Sequence, residues 1–149
     1  MSDNTLKLIP ASPHYVPTAV AAQEARDLLA VFFSEAAEIS SKFTEEARFV
    51  DQGANWERVL CPICGTELDE AWWQKAMDAA YRTNFANLSV ILPCCGAMLS
   101  LNDLQYEWPA GFARFTLEIR NPGGDLDDYQ LRSLEQILGC HLRKIWAHY

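Results

Sequence analysis

The sequence predicts an α+β sandwich, and three observations carry that prediction. The first part of the chain reads strand, helix, strand. The last part reads strand, helix, strand again. Between them lies a stretch of about 40 residues that carries four of the five cysteines. Two such halves are the pattern of a split βαβ, or ferredoxin-like, sandwich. No residue-level repeat is read between them, so element order alone supports the prediction. The expectation is a single domain, residues 1–149, with a zinc-binding insertion at about 61–100 between the halves.

Taken in order, Thr5 to Ile9 reads as a short strand ended by Pro10. Pro13 and Pro17 bar regular structure in the loop that follows. Thr18 can cap a helix in which Ala21, Ala25, Leu28, Leu29, Phe32 and Ala36 recur at helical spacing. A strand within Thr44 to Asp51 and another at Trp56 to Leu60 are expected to form a hairpin around Gln52-Gly53-Ala54-Asn55. The second of these runs directly into Cys61.

Asp69 or Glu70 opens a second helix, with Trp73, Ala76, Met77 and Ala80 on its buried face. Ser89 to Leu92 is a short apolar strand leading into Pro93. Ala97 to Leu101 and Leu104 to Glu107 read as a further hairpin around Asn102-Asp103. Phe112 to Arg120 is the clearest strand. Ala113, Phe115, Leu117 and Ile119 alternate with Arg114, Thr116, Glu118 and Arg120, which signals a sheet with one packed face. Asp127 with Gln130 fits a capping box, and Gly139 closes that helix in the usual C-terminal place. His141 to Tyr149 is the last strand.

Composition sets limits on function. Half the residues are hydrophobic, enough to bury a core without disulfides. The longest dense apolar run, Leu28 to Phe33, is far short of a bilayer span. Met1-Ser2-Asp3-Asn4 has neither a basic leader nor an apolar stretch, so no secretory signal is expected. A net charge of -8 disfavours nucleic acid and anionic membranes, and its natural complement is a basic protein. Five cysteines without an export signal point to a reducing compartment, where clustered thiols bind metal or do redox work. The expectation is a small, acidic, cytoplasmic, bacterial-type protein.

The chemistry concentrates in Cys61-Pro62-Ile63-Cys64-Gly65 and Pro93-Cys94-Cys95-Gly96. Zinc takes four ligands in a tetrahedron, and two cysteines separated by two residues span one edge of it. Glycine just after the last cysteine of each run can take positive φ, which turns backbone N–H groups toward the sulfurs. Cys61, Cys64, Cys94 and Cys95 are therefore the candidate ligands of one structural Zn2+. Neighbouring side chains of an extended chain point to opposite faces, so Cys94 and Cys95 share a metal only if the chain bends between them. Binding one divalent ion to four thiolates would make the protein more acidic still.

The CPxCG run resembles the knuckles of zinc-ribbon and rubredoxin-like proteins. The resemblance covers Cys61 to Gly65, and more loosely Pro93 to Gly96. It implies a metal that braces the fold, often in a binding module. The chain departs from that pattern in lacking a second Cys-x-x-Cys.

Other chemistries fit the same residues less well. A redox Cys-x-x-Cys is placed directly before a helix, but here Gly65-Thr66-Glu67 intervenes. A catalytic zinc needs an open position, with Glu67 or Asp69 as base, and three thiolates blunt its Lewis acidity. His14, His141 and His148 lack a nucleophile motif beside them. Cys140-His141 could supply a replacement ligand. Of the neighbours Trp72 and Trp73, only one can face a given core, leaving the other as a contact anchor or packed on the opposite side. Lys144, Trp146 and His148 share one side of the last strand. If that side also held Arg114 and Arg120, the sheet could stack RNA. The preferred reading is a non-enzymatic, zinc-stabilised protein-interaction module, such as an acidic immunity-type protein or another regulatory binding protein. A metal- or dithiol-dependent enzyme and an RNA-binding sheet are the alternatives.

Overall fold

The computed structural model describes residues 3–149. Met1 and Ser2, on which the leader reading partly rests, lie outside the described residues. The chain is mixed α/β, with three helices and a four-stranded antiparallel sheet. Its elements are β1 (Asn4–Pro10), α1 (Ala19–Phe32), β2 (Glu38–Val50), β3 (Val59–Leu60), α2 (Glu70–Tyr81), β4 (Ser89–Ile91), β5 (Met98–Ser100), β6 (Gln105–Tyr106), β7 (Gly111–Arg120), α3 (Asp128–Leu138) and β8 (Leu142–His148), with a 3₁₀ turn at Leu101–Asp103. Among the described residues, no helix is long and apolar enough to cross a membrane.

The main sheet runs β2-β7-β1-β8. α1 and α3 therefore each link two strands that are separated by a third. β7 lies between β1 and β2, and β1 lies between β7 and β8. Local signals explain the helices. Thr18 Oγ1 accepts the Ala21 N–H and starts α1. Asp127 and Gln130 exchange side-chain and backbone hydrogen bonds at 2.7 and 3.0 Å, completing the expected capping box of α3. Gly139, at φ 77°, ends that helix in the left-handed region.

α1 and α3 cover one face of the sheet. Leu6, Leu8, Phe115, Leu117 and Ile119 from the strands meet Ala25, Leu29, Leu134 and Leu138 from the helices. Each leucine or phenylalanine so buried contributes roughly 1.5–3 kcal/mol. Ala36, placed on the α1 stripe by periodicity, falls beyond the helix end but still packs on this core.

Two predicted hairpins are corrected. β2 is longer than expected and pairs with β7, while β3 is only two residues and pairs with β6. Gln52 to Trp56 does turn, but it joins strands of different sheets. Likewise β5 pairs with β4, and the 3₁₀ turn at Leu101–Asp103 hands the chain on to β6. The Asn102 side chain, 3 % exposed, accounts for that turn. It accepts the Phe112 N–H at 2.9 Å and donates to the Ala11 carbonyl at 3.1 Å.

The last strand alternates as expected, but its faces fall otherwise than an RNA surface needs. Trp146 is opposite Leu6 and Lys144 is opposite Leu8, on the side covered by helices. Lys7, beside Ile145 on one flank and Glu118 on the other, marks the opposite face. Arg114 and Arg120 share the parity of Glu118 along β7, so Trp146 does not join them.

Residues 51–110 leave the sheet at Val50 and return at Gly111, which are partners across β2 and β7. This excursion has its own core, built from Val59, Cys61, Trp73, Met77, Leu92, Leu101 and Tyr106, and it docks on Phe112. Trp73 Nε1 donates to the Tyr106 hydroxyl at 3.2 Å, and that hydroxyl donates to the Leu101 carbonyl at 2.8 Å.

Candidate metal centre

Two ten-residue segments of the excursion fold alike. Val59-Leu60-Cys61-Pro62-Ile63-Cys64-Gly65-Thr66-Glu67-Leu68 is matched by Val90-Ile91-Leu92-Pro93-Cys94-Cys95-Gly96-Ala97-Met98-Leu99. In the first, the Cys61 N–H donates to the Thr66 carbonyl at 2.8 Å and the Gly65 N–H to the Cys61 carbonyl at 2.9 Å. In the second, the Leu92 N–H donates to the Ala97 carbonyl and the Gly96 N–H to the Leu92 carbonyl, both at 2.9 Å. Leu60 bridges to Glu67, and Ile91 pairs with Met98 in the corresponding place.

Gly65 and Gly96 sit at φ 74° and 71°. A Cβ at either would meet nothing within 4 Å, so glycine is needed there for its backbone freedom and not for space.

This correspondence explains the adjacent cysteines. Cys64 and Cys95 hold equivalent positions before the glycine. Leu92 holds the position of Cys61, and both are buried in the excursion core. The second turn instead supplies its other sulfur from Cys94, the position of Ile63. The chain turns between Pro93 and Cys95, so two neighbouring side chains come to one point.

All four Sγ atoms lie within 4.8 Å of one another. Cys61 Sγ and Cys95 Sγ are 3.8 Å apart. A regular tetrahedron with Zn–S near ~2.3 Å has S···S edges of about 3.8 Å. The same separation is well beyond a disulfide bond, and all five cysteines are free. The N–H groups of Ile63 and Cys64 donate to Cys61 Sγ at 3.4 Å, the arrangement expected of a knuckle. Cys61 is buried, while Cys64, Cys94 and Cys95 are exposed. The site is therefore at the surface.

The electrostatics would suit a cation. Two thiolates about 3.8 Å apart repel by about 4 kcal/mol at an effective dielectric of ~20. Thr66, whose hydroxyl lies 3.1 Å from Cys64 Sγ and whose N–H also faces it, lowers the Cys64 thiol from 9.0 to about 6. Cys94 is pushed up to about 12, first by loss of water around its sulfur and then by the three neighbouring sulfurs. A bound cation removes the conflict, and a set of four sulfurs suits zinc or iron.

The other candidates are placed elsewhere. Asp69 caps α2, accepting the Ala71 N–H at 2.8 Å. Glu67 is exposed on its turn. Cys140 lies at the end of α3, where burial and Glu135 push its thiol up to about 11. His141 Nδ1 is 3.5 Å from Glu135, and His148 Nδ1 is 2.7 Å from Asn4 Oδ1. Among the described residues, the four cysteines are the one cluster of His, Cys, Asp or Glu with the geometry to hold a metal. Trp73 is buried and Trp72 packs half-buried on the same core, so both tryptophans meet one core, against the expectation that only one of them could, and the opposite side of α2 is exposed.

The ten-residue likeness is hidden in the sequence when Cys61 is aligned with Cys94, and it shows when Gly65 is aligned with Gly96. Comparison of the chain with protein-family models, with curated proteins and with solved structures gives no match.

Proposed function

We propose that Cys61, Cys64, Cys94 and Cys95 hold one structural zinc ion, and that the protein is a non-enzymatic, zinc-stabilised protein-interaction module on a ferredoxin-like sandwich. The observation that carries this reading is the convergence of four sulfurs within 4.8 Å from two matching turns. Zinc is favoured because it takes four thiolates in a tetrahedron with no electronic preference to satisfy. Four thiolates complete that tetrahedron and leave no position for substrate or water, which supports a bracing role. The strand order β2-β7-β1-β8 is the one in which two βαβ units interleave, and it supports the fold assignment.

The surface beside the cluster supports an interaction role. Ile63 lies between the first two cysteines, and Ile91 and Met98 face each other in the hairpin carrying the second two. All three are more than 60 % exposed. Exposed apolar groups at a braced turn suit a protein contact. The net charge of -8 suits a basic partner, and an acidic immunity-type neutraliser is one concrete form. The thiolates suit a reducing, cytoplasmic setting.

The test is metal content with thiol counting. One zinc per chain is expected, with Cys140 reacting slowly because its thiol is pushed up to about 11, and with the other four thiols reacting only after chelation. Four rapidly reactive thiols without chelation, and little zinc in protein purified under reducing conditions, would overturn the metal reading. For the interaction role, Ile63→Asp should abolish capture of a partner that the wild-type chain retains from its native cell.

A further inference from the structure

The face of the main sheet away from α1 and α3 holds an open cleft of about 480 Å³. Among the described residues its lining comes from β1, β2, β7, Asp3, Asp51 and Tyr149, with nothing from residues 52–110. Five of the chain's twelve Lys and Arg line it: Lys7, Lys42, Arg48, Arg114 and Arg120. Only three of its twenty carboxylates do so: Asp3, Asp51 and Glu118. The charge balance of the cleft is thus opposite to that of the chain.

Most of these charges are already paired. Lys7, 6 % exposed, forms the floor. Its Nζ donates to the Asp51 carbonyl at 3.0 Å, to Asp51 Oδ1 at 3.3 Å and to the Tyr149 hydroxyl at 2.5 Å, which uses all its protons. Lys42 is 3.4 Å from Glu118, and Arg120 is 3.9 Å from Asp3 and from Glu38. Two guanidinium groups remain. Among the described residues, Arg48 has no hydrogen bond or ion pair, and Arg114 uses only Nε, on the Thr44 carbonyl at 3.0 Å. Both line the cleft, and Arg48 pairs with Ala113, the chain neighbour of Arg114.

Thr116, two positions along β7 from Arg114, also lines the cleft; among the described residues its hydroxyl has no hydrogen-bond partner in the protein and opens onto the water of the cleft. Two forks and one hydroxyl thus line one end of the cleft, beside a floor that is already neutralised. That supplies more donors than the two oxygens of a carboxylate can use, and it suits the several oxygens of a phosphate. The cleft volume falls in the usual small-molecule range of roughly 300–1,000 Å³. The rings of Phe49 and Tyr149 line it and offer a flat organic group a wall.

We infer that this cleft binds a small phosphate-bearing molecule, with the phosphate held by Arg48, Arg114 and Thr116. The test is calorimetric titration of the full, zinc-loaded chain at low ionic strength with inorganic phosphate, adenosine monophosphate, succinate and a short oligoribonucleotide. Saturable binding of phosphate and of the nucleotide is expected, with succinate much weaker. A tighter nucleotide identifies an organic phosphate as the ligand, and equal affinities identify the free ion. Arg48→Gln should weaken binding roughly tenfold, the loss of one charge-assisted hydrogen-bonding group. Arg48 is exposed and bonds nothing, so the melting temperature should not move. Thr116→Val gives a second reading, a smaller loss from inside the cleft. Absence of saturable binding, equal affinity for succinate, tighter binding of the oligoribonucleotide, or an unchanged affinity in Arg48→Gln would each overturn the inference.

Discussion

Removing the metal should loosen the excursion and leave the main sheet in place. The two cysteine turns belong to separate small sheets, β3 with β6 and β4 with β5, and no ladder joins them. The core around Trp73 and, on the proposed reading, the ion are what hold one turn to the other. A cross-link from Cys64 to Cys94 closes a loop of about 31 residues, which chain-entropy accounting values at about 3.7 kcal/mol. That is about a 500-fold change in the opening equilibrium. The assay is peptide-resolved amide exchange of zinc-loaded and chelated protein. The N–H groups of Cys61, Gly65, Leu92 and Gly96 close the two turns, and they should exchange about 500-fold faster after chelation. Those of Leu6, Leu8 and Ile119 lie in the other core and should change less than roughly tenfold. Unchanged exchange in the turns would refute the bracing role. Equal loss in both cores would refute their independence.

Three further outcomes are expected. Cys94→Ile should cost more than about a hundredfold in zinc affinity, beyond the loss of an outer partner, and adding Leu92→Cys should recover most of it by restoring the regular knuckle. Competition with a chromophoric chelator reads both, and no recovery would refute the equivalence of Leu92 with Cys61. Asn102→Ala leaves the Phe112 N–H and the Ala11 carbonyl without their side-chain partner and should cost about 2–5 kcal/mol in a urea titration. A cost under about 1 kcal/mol would show that water replaces the amide. Tyr106 is pushed from 10.0 up to about 12 by burial, against the opposing hydrogen bond from Trp73 and the charge of Arg143. The folded chain keeps a proton that the unfolded chain surrenders above its ordinary value. This contribution is therefore whole below pH 10 and is lost as pH rises toward 12, by up to roughly 2.7 kcal/mol. Comparing stability across that window with Tyr106→Phe should show the variant losing that part of the slope.

Much of this fold was legible because its signals are local. Thr18, Asp69 and Asp127 each cap the helix that periodicity places after them. The alternation of β7 is legible too, since one of its faces is packed along its length. β2 was cut short because Thr44 to Ala47 stand opposite Arg114 alone, and such a bulge breaks alternation. β3 and β6 have two residues each and pair across a long stretch of chain, so nothing beside either one announces the other. The four cysteines could be named from spacing. How Cys94 and Cys95 meet could not, because it depends on Leu92 taking the buried place of a thiol. The cleft was invisible for a similar reason. Which strand faces the helices turns on the pairing of Leu6 with Trp146, a contact between opposite ends of the chain.

The pairing of Val50 with Gly111 has one more consequence. Exit and re-entry at a single rung make the sixty intervening residues an ornament on what is otherwise an ordinary hairpin. Closing sixty residues in place of four differs by only about 2.4 kcal/mol in chain entropy. Replaced by a tight turn, that stretch would vanish without altering any neighbour in β2-β7-β1-β8. A lineage could acquire, exchange or discard the thiol-bearing appendage while the scaffold beneath kept its shape.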